Sequence, residues 1–511
     1  MSIRARAIAL GATVVAIAGG ALWWAAARRA SADITSSRPE ISRALLEQLA
    51  GTHWYRVSVM GSPSGWMFTS ADAEDGPDGK PYMRYTTRMQ FQLVLNNTPL
   101  QASNEINVTT DSQLRPVKIT MVADELGRSK TVRAEVMGSA LQVEVEAGGK
   151  QYTRRIPLPP DWGSDLEFVM RAAAGNLKPG DRFAVSIFDP QLIDFDRHHI
   201  TVGQWRETEI GGQKRRVLEI SDETEKLKLK SRMLIDADGV MWRQEVPGIL
   251  NMVLEKVTEE EAKKVGHPLS LTNRVEVDKP LPERPESLAS LTLAARLENA
   301  LEPPVPSTER QQVSEKKAGV YLVRLTAAQR PSQIQPMPPA APADVAEFLG
   351  PTPLAQCTDQ DIQRKASEIV AGAKDSWDAA TRIVRWVYAN LRKVASEPRP
   401  VSAAEVLQSM TGDCTEHAVL AGTLARAAGL PSKMCVGLAY TGGAFYYHAW
   451  VKIWVGDWAE MDPTWGELLV DPSHILVADG NFDEISIARM SLATARTIGQ
   501  LKISIIEARP K

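Results

Sequence analysis

Alternating apolar and polar residues fill much of the first half of the chain. Residues 89–95 and 141–145 place apolar side chains at every second position, the period of a strand with one buried face. Residues 233–246 repeat the pattern around Asp238-Gly239, a strong hairpin signal. The pattern predicts a β-rich domain over residues 33–279, folded as a curved antiparallel sheet or partial barrel.

The β-rich domain offers no residue that stands out as catalytic. His198 and His199 are adjacent, so on a strand their side chains face opposite ways. The concave face of a curved sheet could bind a lipid or a polypeptide, and the ligand is unknown. We favour the simpler interpretation that the domain is a spacer or lid for the domain that follows.

Repeated prolines mark a connector over residues 280–351. They interrupt regular structure and favour extended spacing. Only one strand is predicted in this connector, at residues 319–325. The prolines are Pro303, Pro304, Pro306, Pro331, Pro336, Pro338, Pro339 and Pro342.

The hydrophobic period changes to that of helices in the C-terminal domain, residues 352–511. A helix from Cys414 to Ala428 ends at Gly429, with Pro431 just beyond as a stop signal. The other predicted helices span residues 362–371 and 377–391, and the predicted strands span residues 433–440, 446–455 and 458–461. The predicted fold class is therefore α+β, with a β-rich antiparallel domain before the mixed domain.

An uncharged apolar run of 21 residues, 7–27, lies near the N-terminus. About 20 such residues suffice for a helix to cross a bilayer, and Trp23 and Trp24 suit a membrane interface. A cleaved signal peptide is the alternative, because Ala30-Ser31-Ala32 resembles a cleavage site. We favour an uncleaved anchor over residues 1–32, because the run exceeds a signal peptide's apolar core. Both interpretations place the bulk of the chain outside the cytoplasm, on the periplasmic side of a bacterial membrane.

The net charge bears on the binding partners of the chain, and the cysteine content bears on its disulfide bonds. The formal net charge is −3 and no long basic run occurs, so nucleic acid is not an expected partner. The three cysteines are Cys357, Cys414 and Cys435. An odd count in an exported chain leaves a free thiol or an intermolecular bond. A Cys357–Cys435 disulfide, with Cys414 free, would be a tidy arrangement.

Candidate chemistry concentrates at Gly412-Asp-Cys-Thr-Glu-His-Ala418. Asp413 is a good N-cap, and Glu416 three residues later completes a capping box. Cys414 then opens the helix, where backbone N–H groups and the helix dipole favour a thiolate. The neighbouring carboxylates oppose that ionisation, so a nearby cationic histidine is needed. His448 could supply the base, and Asp462 could orient its imidazole.

The turn between His448 and Asp462 decides whether these side chains share a face. A three-residue loop, residues 455–457 with Gly456 in an unusual backbone conformation, puts Asp462 diagonal to His448. This register also pairs Lys452 with Glu460, whereas a two-residue loop would turn Asp462 away. We therefore predict the three-residue loop.

These motifs, together with His448-Ala-Trp-Val451 and Trp458-Ala-Glu-Met-Asp-Pro-Thr464, resemble the core of the transglutaminase-like superfamily. The resemblance covers about residues 358–478. It implies a papain-like fold with Cys414 as nucleophile, His448 as base and acid, and Asp462 as the orienting residue. It also implies thioester formation at a peptide or glutamine-type amide, without cofactor or metal. The backbone N–H of Cys414 would serve an oxyanion hole, with Gln408 or Trp386 as candidate second donor.

The resulting hypothesis is a membrane-anchored cysteine enzyme that acts on protein or peptide amides, with hydrolysis favoured over crosslinking. The main alternative is a non-catalytic binding module that keeps this fold, with the β-rich domain as its recognition part. A zinc site of Cys414, His417 and His448 is a weaker one, since a single Cys-x-x-His pair is little signal. His474 is interpreted as local structure, and Cys435 as an inert buried thiol. The aromatic residues Trp450, Trp454, Trp458 and Trp465 either line a substrate groove or simply pack.

Overall fold

The computed structural model describes residues 43–76, 79–96, 98–125, 129–147, 150–164, 176–264, 266, 269–298, 302–394 and 401–511. They fall into two compact units, which meet in sequence between Ser270 and Leu271. Strands account for most of the regular structure in these residues, so the predicted α+β class is too coarse and the chain is better described as β-rich. The predicted membrane span, residues 7–27, lies outside the described residues, within which no helix is long and apolar enough to cross a bilayer.

The N-terminal unit is built almost entirely from antiparallel strands. Its strands are β1 (Gly51–Val59), β2 (Ser62–Asp75), β3 (Pro81–Leu95), β4 (Thr98–Thr110), β5 (Pro116–Glu125), β6 (Ser129–Met137), β7 (Ala140–Ala147), β8 (Lys150–Pro157), β9 (Arg182–Asp189), β10 (Asp194–Ile210), β11 (Gln213–Thr224), β12 (Lys230–Ile235), β13 (Met241–Val246) and β14 (Met252–Val257). Its helices are α1 (Arg43–Leu49) and α2 (Glu259–Lys263). The strands follow the order β8-β7-β6-β5-β4-β3-β2-β1-β14-β13-β12-β11-β10-β9 in one sheet.

The alternation read from the sequence sets which face of this sheet is buried. In β3, Met89, Phe91, Leu93 and Leu95 are buried while the residues between them are more exposed. The predicted hairpin between β12 and β13 is also confirmed. There Asp236 caps the turn, because its Oδ1 accepts the backbone N–H groups of the residues at positions 238 and 240.

The C-terminal unit combines helices with shorter sheets. Its helices are α3 (Ala343–Ala346), α4 (Gln360–Val370), α5 (Ser376–Asn390), α6 (Ala403–Ser409), α7 (Cys414–Ala427) and α8 (Glu484–Ala495). After β15 (Ser270–Leu271) at the boundary, the strands are β16 (Arg274–Glu276), β17 (Leu288–Leu297), β18 (Gln311–Lys317), β19 (Val320–Thr326), β20 (Arg392–Lys393), β21 (Thr411–Gly412), β22 (Ser432–Thr441), β23 (Ala444–Trp454), β24 (Trp458–Met461), β25 (Ile475–Gly480) and β26 (Leu501–Pro510).

Two larger sheets organise this unit, and β20 and β21 form a separate two-stranded sheet. One follows the order β16-β23-β22-β25, with β24 paired to β23, and the other follows β18-β19-β17-β26. The proline-rich residues 280–351 contribute three strands to the second sheet, where β17 pairs with β26 from the end of the chain. The segment interpreted as a connector is thus an integral part of this unit.

Helix α7 is the central helix of the C-terminal unit. Its side chains are buried on nearly all sides, among them those of Ala418, Ala421 and Ala425. The small alanines let α4, α5 and the strand β23 approach closely, and together these elements form one apolar cluster. A helix surrounded in this way is held in place by packing, so its first residue, Cys414, has a fixed position.

Candidate active site

The N-terminus of α7 has the capping geometry that the sequence predicts. The Asp413 carboxylate accepts the backbone N–H of Thr415, and the Glu416 carboxylate accepts the N–H of Asp413 at 2.7 Å. Gly412 makes room for this box, since a Cβ there would lie 2.2 Å from the Cβ of Glu416. Cys414 is the first residue of the helix and is 1% exposed.

Glu416 is held neutral at neutral pH. Burial raises the pKa of its carboxyl to about 8, and the adjacent Asp413 charge acts in the same direction. A neutral Glu416 does not repel a thiolate at the neighbouring Cys414. One of the two carboxylates expected to oppose thiol ionisation therefore does so only above about pH 8.

The hairpin of β23 and β24 adopts the predicted register. Lys452 faces Glu460, and Val451 faces Met461, which excludes the alternative with Asp462 opposite Val451. The strands are joined by residues 455–457, with Gly456 at a φ of +118°. The three-residue loop is confirmed.

This register brings His448 and Asp462 into direct contact. The Nε2 of His448 donates to the Asp462 Oδ2 at 2.7 Å, with both side chains buried. The other carboxylate oxygen, Oδ1, accepts the backbone N–H groups of Thr464 and Trp465. Burial alone would raise the pKa of Asp462, but the charges and hydrogen bonds of His448 and His474 outweigh it and hold the pKa well below its usual range.

An aromatic neighbour fixes the plane of the His448 ring. The Trp465 indole stacks on the imidazole with ring centroids 4.6 Å apart and an interplanar angle of 16°. His448 is 2% exposed. With one ring nitrogen bonded to Asp462, Nδ1 is the nitrogen left to exchange a proton with a thiol.

His474 is the residue that the sequence interpretation missed. It is fully buried beside Asp462, and its Nε2 lies 3.4 Å from the Oδ2 that His448 contacts. The sequence signal was its place in Asp471-Pro-Ser-His474, a short polar loop within twelve residues of Asp462. Only the folded chain shows that this loop returns to the carboxylate.

The cysteine pairing considered from the sequence is wrong. Cys357, Cys414 and Cys435 are all free thiols in the structure. Burial raises the pKa of Cys435 well above its usual value, which fits the expectation that this thiol is inert. Burial also raises the pKa of Cys357, whose Sγ contacts the Leu349 carbonyl.

The described side chains that lie close enough together to bind a metal ion do not include Cys414. His417, considered from the sequence as a zinc ligand, instead lies with Nδ1 2.6 Å from the carbonyl oxygen of its own helix cap, Asp413. Two sets of side chains in the described residues bring three ligand atoms within 4.8 Å of one another: His448, Asp462 and His474, and Glu467, Asp471 and His474. His448 and His474 both lie against the Asp462 carboxylate, and His474 also lies against Asp471, so these side chains already contact one another within each set.

A cleft of about 520 Å³ opens next to this group. Trp465, Glu467 and Asp471 form one wall of the cleft, and the turn after β22 with Gly442 and Gly443 forms another. Trp465 also stacks on His448, so the cleft lies one side chain away from the imidazole. The remaining lining residues are Pro280, Leu281, Glu283, Pro285, Glu286, Tyr440 and Thr441.

Residues 363–463 match the family model of the Transglutaminase-like superfamily. The C-terminal region is transglutaminase-like. The matched segment contains Cys414, His448 and Asp462, and it covers the start of α7 and the hairpin of β23 and β24. No curated protein sequence matched the chain.

Solved structures give only distant similarity. A proposed cysteine protease from Cytophaga hutchinsonii is 16% identical, over 43% of this chain and 87% of that one, with a TM-score of 0.29. A beta-barrel-like protein of unknown function from Brucella abortus is 13% identical, over 40% and 95%, also with a TM-score of 0.29. A proposed protease from Parabacteroides distasonis is 11% identical, over 76% and 70%, with a TM-score of 0.20.

Proposed function

We propose that this chain is a cysteine enzyme that cleaves amide bonds of peptides or glutamine-type side chains through a thioester. The observation that carries the proposal is the buried 2.7 Å hydrogen bond from His448 to Asp462, on a hairpin whose strand β23 packs with the helix that Cys414 opens. A scaffold needs neither a cysteine at a helix start nor an oriented imidazole nearby. Both are what nucleophilic catalysis requires.

In the first half of the reaction, the Cys414 sulfur attacks the amide carbonyl carbon. His448 takes the thiol proton at Nδ1, while Asp462 holds Nε2–H and stabilises the imidazolium. The backbone N–H of Cys414, at the helix N-terminus, stabilises the oxyanion of the tetrahedral intermediate. When the C–N bond breaks, His448 returns its proton to the departing amine and a thioester remains.

In the second half, water attacks the thioester carbonyl. His448 accepts a proton from that water, the C–S bond breaks, and the proton returns to the Cys414 sulfur. We favour water over an amine as acceptor, because transfer to an amine requires water to be kept away from the thioester. The neighbouring cleft is lined by the exposed Glu283 and Glu286 and thus communicates with solvent.

We further propose that the enzyme acts outside the cytoplasm, held at the membrane by the apolar N-terminal run, residues 7–27. The run has the length and the flanking tryptophans of a membrane anchor. Its substrate would then be an extracytoplasmic protein or peptide.

Thiol alkylation of the full-length protein tests the proposed nucleophile. Iodoacetamide near pH 6 reacts slowly with an unassisted thiol of pKa about 8.5, so fast modification marks a thiolate held by a cationic partner. We expect mass spectrometry to show rapid modification of Cys414, and loss of this rate in His448→Ala.

Cys357 and Cys435 serve as controls within the same chain, because both are buried and burial raises the pKa of both thiols. If Cys414 reacts no faster than Cys435 at pH 6, Cys414 and His448 do not form an active pair. The hypothesis of a non-catalytic binding module would then replace the hypothesis of an enzyme.

A further inference from the structure

The Asp462 carboxylate has two histidine neighbours. His448 and His474 both point Nε2 at its Oδ2, at 2.7 and 3.4 Å. The two backbone N–H groups described above contact Oδ1, so four groups of the described residues contact this carboxylate. The proposed reaction uses His448 alone, which leaves a buried imidazole without a role.

His474 also has contacts at its other ring nitrogen and at its backbone carbonyl. Its Nδ1 makes no hydrogen bond to a described residue but lies near two carboxyl groups, 3.5 Å from Asp471 Oδ1 and 4.0 Å from Glu467 Oε2. Its backbone carbonyl accepts a hydrogen bond from the buried Arg310 guanidinium at 2.6 Å, and Arg310 also pairs with Glu460 on β24. The Arg310 contact therefore anchors the backbone that carries the ring.

Packing also restricts the His474 ring. It meets the rings of His448, Trp450 and Trp465 edge to face, with centroids 5.9, 5.4 and 5.3 Å apart. Burial lowers the pKa of His474, but the neighbouring carboxyl groups of Asp462, Asp471 and Glu467 outweigh burial and raise it to about 10. At neutral pH both ring nitrogens thus carry protons, and Asp462 is the acceptor that Nε2 meets among the described residues.

We infer that His474 is a positioning residue, which donates from Nε2 to Asp462 and so keeps this carboxylate aimed at His448. The inference rests on the proposed function, in which Asp462 orients the base. Without this donor, Oδ2 would keep only the His448 bond, and rotation of the carboxylate would misalign the imidazole. Misalignment of a base by about an ångström can cost a hundredfold in rate.

Two amide substitutions distinguish the effect of the Nε2 donor from the effect of removing the imidazole ring. His474→Gln puts an N–H₂ group at the position of Nε2, within reach of Asp462. His474→Asn puts the same group at the position of Nδ1, facing Asp471. The rate of Cys414 alkylation at pH 6 should stay within about threefold of wild type in His474→Gln and fall at least tenfold in His474→Asn.

His198→Asn is the matched control, since His198 is another buried histidine beside an aspartate, with Nδ1 3.6 Å from Asp222 Oδ1. It should leave the Cys414 rate unchanged, and thermal melts of all variants establish that they are folded. Equal rates in folded His474→Asn and wild type would overturn the inference, as would equal losses in both His474 variants. Slow wild-type alkylation would instead refute the proposed function.

The inference can also be tested on the wild-type protein, where no variant has to fold. In protein labelled with ¹⁵N at histidine, the NMR signals of His474 should show Nε2 bearing a proton at every pH from 5 to 9. An Nε2 without a proton anywhere in that range would overturn the inference, because it could not donate to Asp462.

Discussion

At the level of single residues, burial and neighbouring charges set which carboxyl groups of the candidate site are ionised. Glu416 stays protonated beside Cys414, whereas Asp462 stays ionised beside two histidines. The first arrangement reduces repulsion of a thiolate, and the second stabilises an imidazolium. Both favour the ion pair that the proposed mechanism needs.

Glu416 should make stability depend on pH. The folded pKa of about 8 lies above the unfolded value of 4.5, so the folded state binds more protons between these limits. The stability contributed by the proton is complete below pH 4.5 and is lost as pH rises towards 8. Glu416→Gln keeps the capping acceptor but cannot ionise. We expect the melting temperature of wild type, relative to Glu416→Gln, to fall steadily from pH 4.5 to 8.

Glu405→Gln provides the control for this prediction. Glu405 completes an equivalent capping box at the start of α6, but its side chain is only half-buried. Its substitution should change the melting temperature by nearly the same amount at each pH. A similar pH dependence in both variants would mean that the buried Glu416 carboxyl is not the source.

Asp462→Asn should disable the proposed base without removing any packing. An amide nitrogen in place of Oδ2 would donate towards His448 and disfavour the tautomer that carries a proton on Nε2. Loss of oriented general-base assistance costs about 10²–10⁴-fold, and the Cys414 alkylation rate at pH 6 should fall accordingly. Asp457→Asn, in the exposed turn of the same hairpin, should have no such effect.

At the level of elements, the turn between β23 and β24 sets the register that joins His448 to Asp462. Gly456 sits at a φ of +118°, and a Cβ at this position would lie 1.9 Å from the carbonyl oxygen of Gln333. Only glycine fits such a backbone conformation and such a close approach. The geometry of the site thus depends on a residue that does not touch it.

Gly456→Ala should destabilise the C-terminal unit. An alanine at positive φ costs about 1–2 kcal/mol, and the clash with Gln333 adds to this cost. Gly443→Ala is the matched control, because Gly443 has a φ of +92° on the same strand's other turn but open space around its Cβ position. Urea unfolding should give a clearly larger loss for Gly456→Ala, and equal losses would show that the contact with Gln333 is not restrictive.

The sequence predicts an element well when the residues that determine it are close together along the chain. The hairpin register followed from neighbouring pairs such as Lys452 and Glu460, and the helix start at Cys414 from its own capping box. The pairing of β17 with β26 was not predicted, because their partners lie about 200 residues apart in sequence. The role of His474 was missed for the same reason: Arg310, which binds its carbonyl, comes from the distant proline-rich segment.

At the level of the whole molecule, the chain combines a large antiparallel sheet unit with a transglutaminase-like unit. The N-terminal unit offers buried polar side chains but no group resembling the one around Asp462 among its described residues. The proposed catalysis uses residues of the C-terminal unit, Cys414, His448 and Asp462. We propose that substrates bind in the cleft lined by Trp465, which stacks on His448.

The charge of that cleft predicts which substrates fit. Four carboxyl residues line it and, among the described lining residues, no lysine or arginine does; the four are Glu283, Glu286, Glu467 and Asp471. A peptide with lysine next to the scissile amide should therefore be cleaved faster than the same peptide with glutamate. Competition between the two peptides, read by mass spectrometry, gives the ratio of their kcat/KM values.

This preference should strengthen as pH rises, and Glu467 is the reason. Burial raises the pKa of its carboxyl to about 7, so the cleft gains a negative charge between about pH 6 and 8. Changes in the protonation of Cys414 or His448 affect both peptides equally and cancel in the ratio. In Glu467→Gln the ratio should be independent of pH over this range. A pH-dependent ratio that persists in this variant would place the selective charge elsewhere, and a preference for glutamate would exclude the acidic cleft as the substrate site.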